Sequence, residues 1–397
     1  MRSESQGNIL FKRTVPSAFI VTSPLQLLCA IEAQKEFEIL DAKYFLILHP
    51  EGLRNKQMLA MSQKFKIDFV EVYSDEISQD NLFNKEGVFE DIDKCTKYER
   101  IFIGDYTDYY SSLFACKIGC KGTQVLFMDD GLETISTLQK KTDVPKPISF
   151  RKKMHWLREG RFRRFNERKR LNAILNQHGI EVTQSFFSIF YNVKSKHYTI
   201  YPNQFRNIRK EAVVQETEPI VLIVGSCITQ QCEMYNIPEA EYESILWNKL
   251  CTIKNNIRDT HPIIYIPHGR DENTHIPEFC KILNIKYQRI NEALEWFVLN
   301  SGITPVEIFG SGSAALYTLK CLYPDAKVVN WFVDKKEDNP MYYVQKRYAN
   351  FYKRNGIIEE TIRFPKPLLL DKIKNIKYDI QSILDWINDR ILKKIKL

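Results

Sequence analysis

Short apolar runs ending in small or polar residues recur along the first half of the chain: Phe19 to Thr22, Tyr44 to Leu48, Phe69 to Val72, Ile101 to Ile103 and Val125 to Met128. After the first run come Ser23 and Pro24, then Leu25, Leu28, Ile31 and Glu32 at helical spacing, which reads as strand, tight turn and helix. Helical stretches separate several of the other runs, and this alternation implies a parallel sheet covered by helices. A second series follows the polar stretch Arg206 to Glu218: Ile220 to Val224, Ile263 to Ile266, Val306 to Phe309 and Lys327 to Trp331. Each run ends beside Gly, Ser, Pro or His. The two series predict an α/β chain of two Rossmann-like domains facing across a cleft, the first over 15–205 and the second over 206–365. In the tail, Ile373, Ile376, Ile380, Ile383, Leu384, Ile387, Ile391 and Ile395 recur at three- and four-residue steps, which predicts a C-terminal amphipathic helix over 366–397.

The length of 397 residues fits two domains. With 44% hydrophobic and 27% charged residues the composition is that of a soluble globular protein, which excludes a largely disordered chain. The net charge of +8 is uneven, because Arg151 to Arg170 holds ten Lys or Arg against Glu159 and Glu167. Such a segment is either a solvated basic face or a seat for an anionic partner. Trp156, Phe162 and Phe165 lie among the charges, a mixture suited to an acidic, phosphorylated or lipid-linked glycan, with Trp156, Arg161, Arg163 and Arg164 as candidate acceptor contacts. The same composition fits RNA, but no nucleic-acid partner is expected.

The nine cysteines lack metal-type spacing, and their odd number in apolar context reads as a reduced, cytoplasmic protein with no metal centre. Met1 to Arg13 is polar, without a secretory apolar region, and no run reaches the roughly 20 apolar residues that span a bilayer. Any membrane contact is therefore expected to be peripheral, at the inner face of the cytoplasmic membrane, through the tail and its Lys393, Lys394 and Lys396. A homodimer stays open.

Ligands of open parallel sheets lie beyond the carboxyl ends of the strands, so chemistry is sought there. Asp129-Asp130-Gly131 follows the run ending at Met128; glycine permits a sharp exit, and a rim carboxylate can take the proton of an attacking hydroxyl. Pro267-His268-Gly269-Arg270 follows a second-domain strand, and a protonated His beside an Arg suits a phosphate. Gly310-Ser311-Gly312-Ser313 runs from a strand into a helix, where backbone N–H groups and two hydroxyls form a phosphate cradle. No GK[ST] follows it, and the glycines of a dinucleotide fingerprint are missing, which disfavours a nicotinamide enzyme.

The order of these motifs resembles the bacterial family 52 sialyltransferases, the lipooligosaccharide sialyltransferase group. The stretches that carry the resemblance are Ser23 to Leu28, Asp129-Asp130-Gly131, His197 to Ile200, Val221 to Ser226, Pro267-His268, Ser311 to Leu316 and Tyr323 to Ala326. Together they run from about residue 19 to about residue 332. The resemblance implies a GT-B-like fold and an inverting, metal-independent transfer from CMP-sialic acid, with no cofactor. It implies a nucleotide-sugar donor and a glycan acceptor such as lipooligosaccharide or capsular polysaccharide. Carried over by position, His268 contacts the donor phosphate and assists its departure, and Ser311 and Ser313 hold the CMP. Arg270, Gly225, Ser226, Gly310 and Gly312 complete the expected donor side.

Two departures stand out. The family's His-Pro is His268-Gly269 here, and the family's Asp shortly after the Gly-Ser that matches Gly225-Ser226 is replaced by Cys227, Ile228 and Thr229. The expected base therefore moves to Asp130, with Asp129 beside it and Glu233 or Asp105 next in line. Two alternatives remain. One is a transferase for another CMP-activated nonulosonic or Kdo-type acid. The other is an inactive glycan- or nucleotide-binding protein.

Overall fold

The computed structural model describes residues 13–50, 52–78, 81–82, 97–104, 108–139, 174–212, 217–257, 260–335 and 342–362. Trp156, Arg161, Arg163, Arg164, Asp105 and the predicted helix over 366–397 lie outside the described residues.

The first sheet holds β1 (Ser17–Val21), β2 (Ala42–Leu48), β3 (Phe69–Tyr73), β4 (Tyr98–Ile103), β5 (Gly119–Phe127), β6 (Glu181–Ser188) and β7 (Thr199–Pro202). It is parallel throughout, in the order β3-β2-β1-β4-β5-β6-β7. Its helices are α1 (Pro24–Glu36), α2 (Leu53–Lys64), α3 (Tyr109–Ile118), α4 (Glu133–Leu138) and α5 (Arg206–Glu211). The second sheet holds β8 (Glu218–Val224), β9 (Ile263–Ile266), β10 (Lys286–Tyr287), β11 (Ile303–Gly310), β12 (Lys327–Val333) and β13 (Ile358–Ile362), parallel in the order β10-β9-β8-β11-β12-β13. With it come α6 (Ile228–Tyr235), α7 (Glu239–Ile257), α8 (His275–Ile282), α9 (Leu294–Asn300), α10 (Ala314–Leu322) and α11 (Tyr342–Arg354).

Both sheets wind the same way: two strands are laid to one side of the first strand, and the order then reverses. This is the doubly wound Rossmann arrangement, whose ligand crevice opens at the reversal, between β1 and β4 and again between β8 and β11. The fold is thus α/β with two Rossmann-like domains, GT-B-like as expected. The central strands are apolar along their length because helices cover both faces; every residue of β1 is buried, as is β8 from Ile220 onward.

Register aligns the strand ends. Val224 pairs with Ile266 and Gly310, so Gly225, Pro267 and Ser311 emerge side by side. In the first sheet Ile103 pairs with Ile20 and Phe127, which sets Gly104 and Met128 on one rim just past the end of β1.

The domains share one core. Buried residues of the first sheet, the inner face of the second, and α9 to α11 form a single apolar cluster, while α7 and α8 build a separate cluster on the second sheet's outer face. Phe65 meets Trp296 at 4.7 Å between ring centroids, and Phe190 stacks on Tyr317 at 5.4 Å. Gln57 Nε2 donates to the Ile290 carbonyl at 3.0 Å, and Ser136 and Tyr348 share a hydroxyl contact at 2.9 Å. Removing apolar surface from water holds the two domains together, and these polar contacts set their register.

Candidate functional site

The two acids of the Asp-Asp-Gly turn face opposite ways. Asp129 is fully buried; the Ile189 N–H donates to it at 2.7 Å and the Ser188 hydroxyl donates to its other oxygen, so it ties the end of β5 to the end of β6. Burial pushes its carboxyl up to about 7, despite those two donors. With both oxygens engaged and no surface, Asp129 braces the turn and does not open onto the crevice. Asp130 is only partly buried, and its Oδ1 accepts from Gln26 Nε2 at 2.7 Å. Gly131, at φ +62°, then turns the chain into α4.

Gln26 is the support for Asp130. Its Oε1 accepts from the Thr22 N–H at 2.8 Å and from the Thr22 hydroxyl at 2.9 Å; since a backbone N–H can only donate, the amide orientation is settled and the NH₂ faces Asp130. The side chain lies across Gly104, where a Cβ would fall 2.1 Å from Gln26 Cδ. Only glycine admits it there.

On the opposite wall, His268 Nδ1 accepts the Arg270 backbone N–H at 3.2 Å, so the neutral ring carries its proton on Nε2. Burial, then Arg270, then Arg54 push the imidazole down to about 4. The expectation of a protonated His does not fit this environment: burial and the charges of Arg270 and Arg54 favour the neutral ring, with its proton on Nε2. Arg270 donates to Gln230 at 3.0 Å. Gly225 allows the ends of β8 and β9 to touch, because a Cβ on it would meet the Tyr265 hydroxyl at 2.7 Å. Ser226 is half-buried and shares a hydroxyl contact with Tyr242 at 3.1 Å.

Cys227 to Thr229, which lack the family's acid, start α6. The first amide of that helix donates to Asp271, 2% exposed, at 3.1 Å. A carboxylate does stand beside this turn, but it is enclosed and serves as a helix cap. Glu233 is exposed on α6.

In the third motif, Gly310 ends β11, the Ser311 hydroxyl donates inward to the Trp331 carbonyl at 2.9 Å, and the Gly312 N–H donates to Asn330 at 2.9 Å. These two groups shape the loop. Ser313 caps α10 and is half-buried. The Ala315 and Leu316 amides of the helix's first turn donate to the Ser313 hydroxyl and carbonyl at 3.3 and 3.1 Å. The expected cradle of backbone N–H groups is thus largely taken up within the loop, and the Ser313 O–H is what it keeps to offer an anion.

The domains bring the three motifs together. A Cβ on Gly131 would lie 3.6 Å from Ala314 Cβ, so the acidic turn abuts the first residue of α10. Gly269 rests on the first turn of α2, with Leu53 and Gln57 3.9 and 3.7 Å from its Cβ position. From the same turn of α2, Arg54 NH1 donates to the Thr22 carbonyl at 3.4 Å. Its guanidinium is pushed down by burial and by Arg270, and held up by Asp130. Through Thr22, which also holds Gln26, Arg54 joins the α2 turn under Gly269 to the support of Asp130.

Neither Arg54 nor Gln26 is picked out as a site residue by the sequence pattern. Gln26 carries a weak signal, as a polar residue on the buried face of a helix that follows directly on β1. Arg54 carries none. Among the described residues no group of His, Cys, Asp and Glu is placed to hold a metal ion, and no helix is long and apolar enough to cross a membrane.

No family model and no curated protein matches the chain. Among solved structures it is similar to the α/β-galactoside α-2,3-sialyltransferase of the luminous marine bacterium Photobacterium phosphoreum, at 11% identity and TM-score 0.43, over 88% of this chain and 99% of that one. It is also similar to a sialyltransferase from Photobacterium damsela, at 10% identity and TM-score 0.46 over 87% and 81% of the two chains. A glycosyltransferase from Rickettsia africae is similar at 12% identity and TM-score 0.40, over 87% and 90%.

Proposed function

We propose that the chain is an inverting, metal-independent glycosyltransferase that moves sialic acid from CMP-sialic acid to a glycan acceptor such as lipooligosaccharide or capsular polysaccharide. One observation carries this reading: Gly269, next to His268, rests on the α2 turn whose Arg54 bonds to Thr22, the residue that also holds Gln26 and through it Asp130, while the acidic turn abuts α10 beside Ser313. The carboxylate suits an acceptor hydroxyl and the opposite wall suits a phosphate. The motif resemblance supplies the identity of the donor.

In the step this geometry suits, Asp130 takes the proton from an acceptor hydroxyl as its oxygen bonds to the anomeric carbon. The bond from that carbon to the phosphate oxygen breaks from the opposite face, and CMP departs with the electron pair. The growing phosphate charge is met by the Arg270 guanidinium, the His268 Nε2–H and the Ser313 hydroxyl. Arg54, beside the reacting centre, offsets the acidic group of the donor. Gln26 and Gly104 keep Asp130 aimed at the acceptor.

Calorimetry with CMP, UDP and GDP tests the nucleotide, and product mass after incubation with CMP-sialic acid and other CMP-activated acids tests the sugar. Binding of CMP alone among the three, with a product one sialic acid heavier than the acceptor, is expected. Preference for UDP or GDP overturns the donor class, whereas CMP binding with neither transfer nor donor hydrolysis for any acceptor marks an inactive binding protein.

A further inference from the structure

Three side chains of the first domain meet where its sheet reverses. His49 follows β2, Ser74 follows β3, and Tyr110 lies in the first turn of α3, which comes after β4. The His49 Nδ1 and the Ser74 hydroxyl are 3.0 Å apart, and the imidazole meets the Tyr110 ring edge-on at 6.3 Å between centroids. Because β1 lies between β2 and β4 in the sheet, this ring contact passes over the end of β1. That is the reversal at which the ligand crevice of such a sheet opens. β5, which leads to Asp130, is two strands away from β1, about 10 Å at about 4.8 Å per strand.

The imidazole is held firmly. Asn55 clamps its backbone on both sides: Oδ1 accepts the His49 N–H at 3.3 Å, and Nδ2 donates to the His49 carbonyl at 2.5 Å. Ser74 is 4% exposed, and its N–H donates to the Leu48 carbonyl at 2.8 Å. Asn55 directly follows Arg54, which donates to Thr22, the residue that holds Gln26 and through it Asp130. One run of contacts thus ties His49 to the proposed base.

Two polar groups in this frame are left unused. His49 and Tyr110 are both half-buried, and neither the His49 Nε2 nor the Tyr110 hydroxyl has a partner among the described residues. An imidazole donates or accepts at Nε2 according to its tautomer, and a hydroxyl, donor and acceptor at once, suits either state. Tyr110 adds a flat apolar ring with a polar tip, a surface on which the C–H face of a sugar ring can pack. The three side chains carry no fixed positive charge, and Asp108, which accepts from Ser111 to cap α3, sets a carboxylate two residues from Tyr110. That carboxylate disfavours a phosphate there.

The geometry points to His49 and Tyr110, braced by Ser74 and Asn55, as a subsite for an uncharged sugar ring of the glycan acceptor. The His49 Nε2 bonds a hydroxyl of that ring and Tyr110 packs on its face, which sets the position of the glycan while its reactive hydroxyl meets Asp130. Calling the glycan an acceptor rests on the proposed transfer, whereas its binding here does not.

The test applies the labelled full chain to an array of neutral, sulfated and sialylated oligosaccharides, with CMP affinity measured by calorimetry and folding checked by a melting curve. The parent is expected to retain neutral oligosaccharides. His49→Ala and Tyr110→Leu are each expected to weaken that retention about 3- to 10-fold, the loss of one hydrogen bond or one ring contact, with CMP affinity within about twofold of the parent. Equal retention by the parent and both variants, or no retention of any neutral oligosaccharide by the parent, overturns the inference. A parallel loss of CMP affinity in the folded variants also overturns it, because it moves the pair to the donor. Retention that depends on His49 and Tyr110, in a parent that binds no CMP, upholds the subsite and rejects the transferase.

Discussion

Replacing Asp130 by Asn removes the proposed base while sparing its support. The Asn Oδ1 can still accept from Gln26 Nε2, so the turn at Gly131 stays in place, and the change alters neither volume nor backbone. What is lost is the ability to take the acceptor's proton. A positioned general base contributes about 10²- to 10⁴-fold, or about 3–5.5 kcal/mol of transition-state free energy, and kcat is expected to fall by that amount. The groups assigned to the phosphate belong to the second domain, so CMP affinity should change by less than about threefold, under about 0.7 kcal/mol. Initial rates of CMP release with saturating donor and acceptor give kcat, calorimetry gives the CMP affinity, and a melting curve confirms the fold. Turnover within about threefold of the parent would remove Asp130 from the chemistry, since a tenfold change is only about 1.4 kcal/mol. A parallel collapse of CMP affinity would instead place it on the donor.

Three further outcomes follow from the electrostatics. His268 should titrate near 4 in ¹⁵N-imidazole NMR spectra and shift upward on CMP binding; because the unfolded imidazole takes its proton near 6.5, stability should decline as pH falls from 6.5 to 4, and a free-protein value near 6.5 would refute the paired-arginine environment. Asp129, raised from 3.8 to about 7, contributes stability that is complete below 3.8 and lost as pH rises through 7, so the Tm of an Asp129→Asn variant should gain on the parent between pH 4 and 8; parallel Tm curves would show that the burial argument is mistaken. Arg54→Gln should raise donor KM about 10- to 100-fold, the loss of one charged hydrogen bond of about 1.5–3 kcal/mol, and should also lift the His268 pKa. No change in either quantity would show that Arg54 does not face the donor.

The strands legible from hydrophobic pattern alone are the central ones, because burial on both faces leaves no polar residue to interrupt them. β6 reads Glu181 to Ser188 with polar residues through its first half, β10 has two residues, and β13 carries Glu359, Glu360 and Thr361 in succession. These strands lie at or near sheet edges, where one side meets water and the apolar run breaks up. The three motifs were legible for a related reason: they punctuate apolar runs, and register then sets the ends of those runs on common rims. That Asp129 is the enclosed acid was not legible, since it depends on Ser188 and Ile189 at the end of β6. The inward turn of Ser311 was not legible, since it depends on the Trp331 carbonyl of a neighbouring strand.

The neutral state of His268 escaped the sequence because half of its cause lies in the other domain. Arg270 is two residues away and visible; Arg54 is more than 200 positions away and arrives only when α2 packs its first turn under Gly269. Burial and the two like charges act in one direction on this ring. The first removes the water that would solvate an imidazolium, and the others disfavour a third positive charge beside them. The neutral state therefore needs the packing of both domains and not the local sequence alone.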